Sequence, residues 1–347
     1  MSLATWLARH AELQDGESKQ KPRWLITMIM RASSSLRALL RQESCLVVPG
    51  CFNAMSARVL RKAGFQSVYM TGYGTSLALL GMPDAGFATM SEMHLNARYI
   101  ANAVPGVPVI ADADNGYGNA IQMTRAIREY IQTGVAGVHI EDQVIPKRCG
   151  HVAGKFVVSL DEAVGKVRAA HEVRAELDPD FLLIARSDAR GANGGSLEEA
   201  IARCNAYLEA GADMAFVEGP TSVAEVEQVC REVRGPILYN QTGVSPKFSQ
   251  QQLDDLGIAM AIVPNALTRC AVTAMYDLAL QLREDPLNEA AFMQSIKGHP
   301  CGDMHEFAGF AEVRQMEDSY LPKEELEAKY DGANHGWKAD DVTKAAV

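Results

Sequence analysis

A chain of 347 residues with 48% hydrophobic and 7% aromatic content can bury a large core, and a single α/β barrel fits that length without a second domain. A formal net charge of -10 and a pI near 5.4 speak against a nucleic-acid or anionic-membrane partner, since such surfaces attract Lys/Arg-rich patches. Seven cysteines, an odd and scattered set, read as reduced thiols in a cytoplasmic compartment.

Residues 1–42 form an extension with an Asp/Glu/Lys/Gln-rich piece, expected to be partly disordered or a helical arm. Lys19, Lys21 and Arg23 before Trp24-Leu25-Ile26-Thr27-Met28-Ile29-Met30 imitate a secretory leader. Arg31 follows at once and no small-residue cleavage site appears, so no targeting is expected, and Met28 or Met30 is a candidate start. No segment approaches the ~18–20 apolar residues that span a bilayer.

From about residue 45, short β-branched runs alternate with longer amphipathic stretches, the pattern of βα units around a parallel sheet. Eight strands are predicted: Leu46–Val48, Ser67–Thr71, Val107–Asp112, Gly137–Glu141, Leu182–Arg186, Met214–Glu218, Ile237–Asn240 and Ala259–Pro264. Eight units suggest a closed (β/α)8 TIM-type barrel over residues 43–285, with a helical segment and tail at 286–347. Ser159…Glu162, Ser196…Glu199, Ser222…Glu225 and Ser249…Gln252 read as reciprocal capping boxes. Gly134, Gly211 and Gly257 supply left-handed helix ends.

Nearly every predicted strand finishes in a residue foreign to a core: Thr71, Asp112, Glu141, Arg186, Glu218 and Asn240. In a barrel these ends converge on one mouth. Asp112-Ala113-Asp114-Asn115-Gly116 is not a calcium loop, because Met123 stands where the bidentate glutamate belongs. Asp112, Asp114 and Glu141 are instead hard oxygen donors suited to Mg2+ or Mn2+, or else helix caps or salt-bridge partners. Gly72-Tyr73-Gly74 lacks the third glycine of a dinucleotide fingerprint and reads as an anion-facing or ordinary turn with the Thr71 hydroxyl beside it. Arg186 is expected either to pair with Glu218 or Glu141 or to present its fork to a substrate carboxylate. His139 reads as a satisfied core histidine.

Lys147-Arg148-Cys149-Gly150-His151 places a thiol between two cations and an imidazole. Lys147 and Arg148 would lower the thiol pKa for nucleophilic attack with His151 as base, and the alternative is a general acid that protonates a carbanion.

Together, Val68-Tyr69-Met70-Thr71-Gly72, Gly81-Met82-Pro83-Asp84, Asp112 to Gly118, His139 to Gln143, Lys147 to His151 and Ala185 to Ala189 resemble the isocitrate lyase/phosphoenolpyruvate mutase superfamily. The Lys-Arg-Cys-Gly-His form is similar to its carbon–carbon lyase branch, that of methylisocitrate and dimethylmalate lyases, and to oxaloacetate hydrolases. The resemblance implies that Asp84, Asp112, Asp114 and Glu141 hold Mg2+. It further implies that Tyr69, Thr71, Gly72 and Tyr73 bind an α-keto acid carboxylate near Arg186, and that residues 147–151 close over the substrate. Glu218, Asn240 and Thr242 would then line the far side, and subunits would form homotetramers, dimers of dimers that exchange the last barrel helix. Pro264 stands where oxaloacetate hydrolases carry serine, and the segment from Asn240 to Pro246 is shorter than in methylisocitrate lyases.

The function expected is Mg2+-dependent cleavage of a small 2-hydroxy di- or tricarboxylate into an α-keto acid and a carboxylate. Cys149 would be the acid, Arg186 and Arg148 would stabilise the departing charge, and the base is left open between Glu218 and a solvent species activated at the metal. Oxaloacetate hydrolysis or decarboxylation at the same site is the enzymatic rival, and a non-catalytic metabolite-binding barrel is the rival of another class.

Overall fold

The computed structural model describes residues 31–331 and Trp337. The leader-like stretch at 19–30 and the candidate starts at Met28 and Met30 lie outside the described residues. Eight parallel strands form one sheet: β1 (Leu46–Cys51), β2 (Val68–Met70), β3 (Val109–Asp112), β4 (Gly137–Glu141), β5 (Leu182–Ser187), β6 (Met214–Val217), β7 (Leu238–Asn240) and β8 (Met260–Val263). Each of β1 to β5 pairs with the next, β1 also pairs with β8, and β8 pairs with β7. A single bridge, Ala215↔Ile237, joins β6 to β7 and brings the sheet almost to closure. The (β/α)8 barrel expected from the alternation is the fold adopted.

The strands differ from expectation at their ends. β1 continues through Pro49-Gly50 to Cys51, pairing with β8 up to Pro49 and with β2 from Gly50. Gly50 is required there, since a Cβ would lie 1.9 Å from the Pro264 carbonyl oxygen. Thr71 and Glu218 fall just beyond their strands, and Thr71 instead caps the next helix.

The helices are α1 (Ala32–Leu40), α2 (Ala54–Lys62), α3 (Gly72–Leu80), α4 (Met90–Ala103), α5 (Ala120–Thr133), α6 (Leu160–Leu177), α7 (Leu197–Glu209), α8 (Val223–Glu232), α9 (Gln250–Asp255) and α10 (Ala266–Glu284). α11 (Asn288–Ser295), α12 (Met304–Ala308), α13 (Phe310–Tyr320) and α14 (Lys323–Tyr330) follow. All four predicted serines accept the N–H three residues on, but of the four only Gln252 reciprocates. Glu199 and Glu225 pair with Arg203 and Arg190 instead, at 2.8 and 2.9 Å, because a charge-assisted bond outcompetes a cap.

The barrel interior is filled by Leu46, Val48, Ile110, Leu182, Ile184, Met214, Phe216, Leu238, Met260 and Ile262. α1 seals its N-terminal end. Leu36 is fully buried in that cluster, while Ser33 donates to Asp178 at 2.8 Å, Ser34 to Asp180 at 2.6 Å, and Arg37 pairs with Asp213 at 2.8 Å. The opposite end is left for the site. α10 buries only Thr268, and its Val272, Met275 and Tyr276 are exposed. No helix among the described residues is long and apolar enough to cross a membrane.

Candidate active site

The polar strand ends do converge. Thr71, Asp112, Glu141, Arg186, Glu218 and Asn240 are all buried at the C-terminal mouth of the barrel. β4 and β5 run in register so that Glu141 stands directly beside Arg186. Asp112 accepts N–H bonds from Gly72 at 3.1 Å and Asp114 at 3.0 Å, and His139 Nε2 lies 3.3 Å from its Oδ1. Burial would raise the Asp112 carboxyl, but His139, Lys147, Arg186 and the Asp114 N–H together hold it below the usual carboxylate range. The anion faced by the Gly72 turn is thus, in the free protein, the chain's own carboxylate. A Cβ at Gly72 would fall 2.2 Å from Asp112 Oδ2, so glycine is what permits that approach.

Tyr69 lies one layer beneath this, buried, its hydroxyl 2.6 Å from His139 Nε2 and its ring stacked on the imidazole. His139 is fully buried and bonded at Nε2, while Nδ1 finds no partner, and burial holds the imidazole below its ordinary value. Tyr73, by contrast, is exposed at the first turn of α3. Thr71 caps α3 by accepting from Gly74 N–H and donates to Asn265 at 3.1 Å.

The four carboxylates expected to hold a metal are gathered around one ammonium. Lys147 Nζ lies 2.5 Å from both Asp84 Oδ1 and Asp114 Oδ1. Among the described residues no group of three or more His, Cys, Asp and Glu side chains stands ready to grip an ion with the lysine in place. Burial, only partly offset by Lys147 and reinforced by Asp112 and Asp84, pushes Asp114 up to about 7. Burial likewise raises Glu141 well above the usual range despite Arg186, and its Oε1 accepts no hydrogen bond. Buried carboxylate groups in excess over cations, with Glu141 Oε1 lacking a donor, fit a divalent cation in this wall.

The loop that follows β4 is fixed from several sides. Gln143 grips the Arg148 backbone, accepting its N–H at 2.9 Å and donating to its carbonyl at 2.8 Å, and Cys149 N–H donates to Asp84 O at 2.9 Å. Gly150 packs so closely that a Cβ would meet Arg186 Nη2 at 2.3 Å and Glu218 Cγ at 2.6 Å. The expectation that Lys147 and Arg148 lower the Cys149 thiol is overturned. Lys147 turns to the carboxylates and Arg148 is exposed, so burial dominates over the His151 N–H bond and the thiol is raised above its ordinary 9.0. A half-buried thiol whose pKa is raised is a better proton donor than nucleophile.

Arg186 does pair with Glu141, at 3.3 Å, and approaches Glu218 at 3.5 Å. Its main partner escaped the sequence reading: the fork is bidentate to Asp188 at 2.9 and 3.0 Å, over the Phe216 ring. Glu218 accepts from His151 Nε2 at 3.0 Å and from Asn240 Nδ2 at 3.3 Å. Burial would raise it, but Arg186 and the His151 bond prevail and hold it at about 2. Thr242 is half-buried beyond β7 and makes no side-chain hydrogen bond to these residues.

Asp142 and Lys155 were also missed. Asp142 accepts from Ser187 at 2.7 Å, Tyr207 at 2.8 Å and the Asp188 N–H at 2.9 Å. Asp142 and Asp188 both sit inside runs singled out for other members, so the only available signal was a second acid beside a strand end. Lys155 carried no signal, because only the fold returns it beneath residue 150.

Comparison with known proteins agrees with this geometry. The phosphoenolpyruvate phosphomutase family model matches residues 36–283. The chain is 41% identical to 2,3-dimethylmalate lyase of Eubacterium barkeri over 293 residues, covering 84% of this chain and 99% of that protein. It is 39% identical to 2-methylisocitrate lyase of Escherichia coli (strain K12), covering 72% and 84%. A solved structure of oxaloacetate acetylhydrolase in complex with the inhibitor 3,3-difluorooxalacetate superposes with a TM-score of 0.76 at 35% identity, covering 83% of this chain and 97% of that one. The motifs, the barrel and these likenesses coincide, and the chain belongs to the phosphoenolpyruvate mutase/isocitrate lyase superfamily.

Proposed function

We propose that the protein is a carbon–carbon lyase that cleaves a 2-hydroxy di- or tricarboxylate of the 2,3-dimethylmalate or 2-methylisocitrate type into an α-keto acid and a second carboxylate. The observation that carries this reading is the Cys149 loop closed over Arg186 and Glu218 at the mouth where Asp112, Asp114 and Glu141 collect. The substrate's 2-hydroxy-carboxylate unit would sit at Thr71, Gly72 and Tyr73, where the N-terminus of α3 favours negative charge. A divalent cation, Mg2+ or alternatively Mn2+, held by Asp112, Asp114, Glu141 and Asp84, supplies Lewis-acid polarisation when bound.

A base takes the hydroxyl proton, and the electrons of the breaking C–C bond pass to the departing carboxylate fragment as an enolate-like dianion. Arg186 is the fixed cation beside that charge. Cys149 then gives its sulfur-bound proton to the carbanion carbon, leaving a thiolate that regains a proton from solvent. Glu218, ionised and hydrogen-bonded to His151, is too weak a base at neutral pH for the hydroxyl proton, which supports an orienting role for the pair.

Turnover on a panel of 2-methylisocitrate, 2,3-dimethylmalate and oxaloacetate, with pyruvate, oxalate and CO2 quantified, tests the assignment. Cleavage of either hydroxy acid, abolished in Cys149→Ser, supports it; oxalate from oxaloacetate alone would transfer the site to the hydrolase reading, which the oxaloacetate acetylhydrolase likeness keeps in play. The exposed apolar residues on α10 support exchange of that helix within a homotetramer, checked by light scattering. Seven unpaired thiols fit a cytoplasmic setting.

A further inference from the structure

Lys155 is a cation outside the thiol and carboxylate machinery, yet it is only 4% exposed. Its ammonium donates to the Gly150 carbonyl and lies 3.3 Å from Asp188 Oδ1. Room for it exists because Gly191 has no side chain: a Cβ there would stand 3.1 Å from Nζ. The backbone of Lys155 is pinned as well, its carbonyl accepting from Asn193 N–H at 2.9 Å. Asp188 in turn cannot yield, since its carboxylate grips Arg186 twice and its N–H is held by Asp142, itself bonded to Ser187 and Tyr207. One carbonyl in the thiol loop, that of the residue after Cys149, is thereby tied through a buried ammonium to the rigid end of β5.

We propose that Lys155 is a positioning residue that latches the Cys149 loop in its closed form by bridging the Gly150 carbonyl to Asp188. The other ties on the loop are neutral hydrogen bonds, and a buried charge-assisted bridge is stronger than each of them. For its effect on turnover the proposal rests on the reading of Cys149 as proton donor; loop closure itself does not. Lys155 also contributes positive charge to the Glu218 side of the pocket.

The test is site-resolved alkylation of the full chain by iodoacetamide, followed by mass spectrometry, comparing Cys149 between wild type and variant with fully buried Cys204 as the internal control. Lys155→Met is expected to raise the Cys149 rate roughly tenfold over wild type, equivalent to about 1.4 kcal/mol of closure, with Lys155→Arg restoring most of the protection. Removing a cation disfavours thiolate and by itself slows alkylation, so a rise reports opening. On a turned-over panel substrate, kcat should fall more than KM rises in Lys155→Met. Unchanged Cys149 reactivity overturns the latch, and so does a rise shared equally by Cys204, which would make Lys155 a residue of general fold stability. Absence of turnover on the panel with a Cys149-specific rise supports the latch and refutes the lyase reading alone.

Discussion

Substituting alanine at Gly150 is the most direct probe of the closed loop. The added Cβ would sit 2.3 Å from Arg186 Nη2, 2.6 Å from Glu218 Cγ and 2.9 Å from Glu218 Cδ. Ordinary carbon contacts begin near 3.5 Å, so something must move by about 1 Å. Arg186 cannot give way, being forked onto Asp188 and laid over Phe216. Glu218 is held by His151 and Asn240. The loop therefore lifts, carrying Cys149 with it. A displacement of about 1 Å at a reacting group costs on the order of 10²-fold in rate, and that is the loss expected in kcat for Gly150→Ala. Because the loop lies at the mouth and not in the core, Tm should fall by no more than a few degrees. Steady-state kinetics on whichever panel substrate the wild type turns over, with thermal unfolding alongside, measures both. A variant that keeps kcat within about threefold of wild type would show that closure of residue 150 on Arg186 and Glu218 is unnecessary for the chemistry.

Two further expectations concern the thiol and the far end of the barrel. If Cys149 acts as S–H, kcat is flat through neutral pH and falls only as pH rises through a thiol pKa that burial has moved above 9.0; a rate that instead climbs through neutrality to a plateau would mark a thiolate nucleophile. Leu36→Ala should cost about 2–5 kcal/mol in urea denaturation, since Leu36 is fully buried in the barrel interior, while kcat stays unchanged because the site is at the opposite mouth. A loss below about 1 kcal/mol would mean that α1 does not plug the barrel.

Legibility in the sequence followed periodicity. Strands and capped helices repeat locally, so the barrel could be read from runs such as Gly137–Glu141 and from Ser159, Ser196, Ser222 and Ser249. The convergence of Asp112, Glu141, Arg186 and Glu218 followed from topology, because parallel strands deliver their ends to one face. What local reading could not supply was partnership. Lys147 stands two residues from Cys149 in the chain yet points at Asp84 and Asp114, and this reversed the expected direction of the thiol's shift. Asp188 and Lys155 meet across two separate loops, and no spacing rule relates residues 150, 155, 188 and 191.

Among the described residues, the plug formed by α1 and the packed interior close the N-terminal end of the barrel and leave the C-terminal mouth for the site. Under that arrangement both fragments of a cleaved substrate leave through the mouth by which the substrate came. Under the proposed reaction, the keto acid lies deeper, against Thr71 and Gly72, and the carboxylate fragment lies under the loop. Departure is then a queue: the carboxylate leaves first and the keto acid last, so the keto acid should compete with substrate for the empty site while the carboxylate should not.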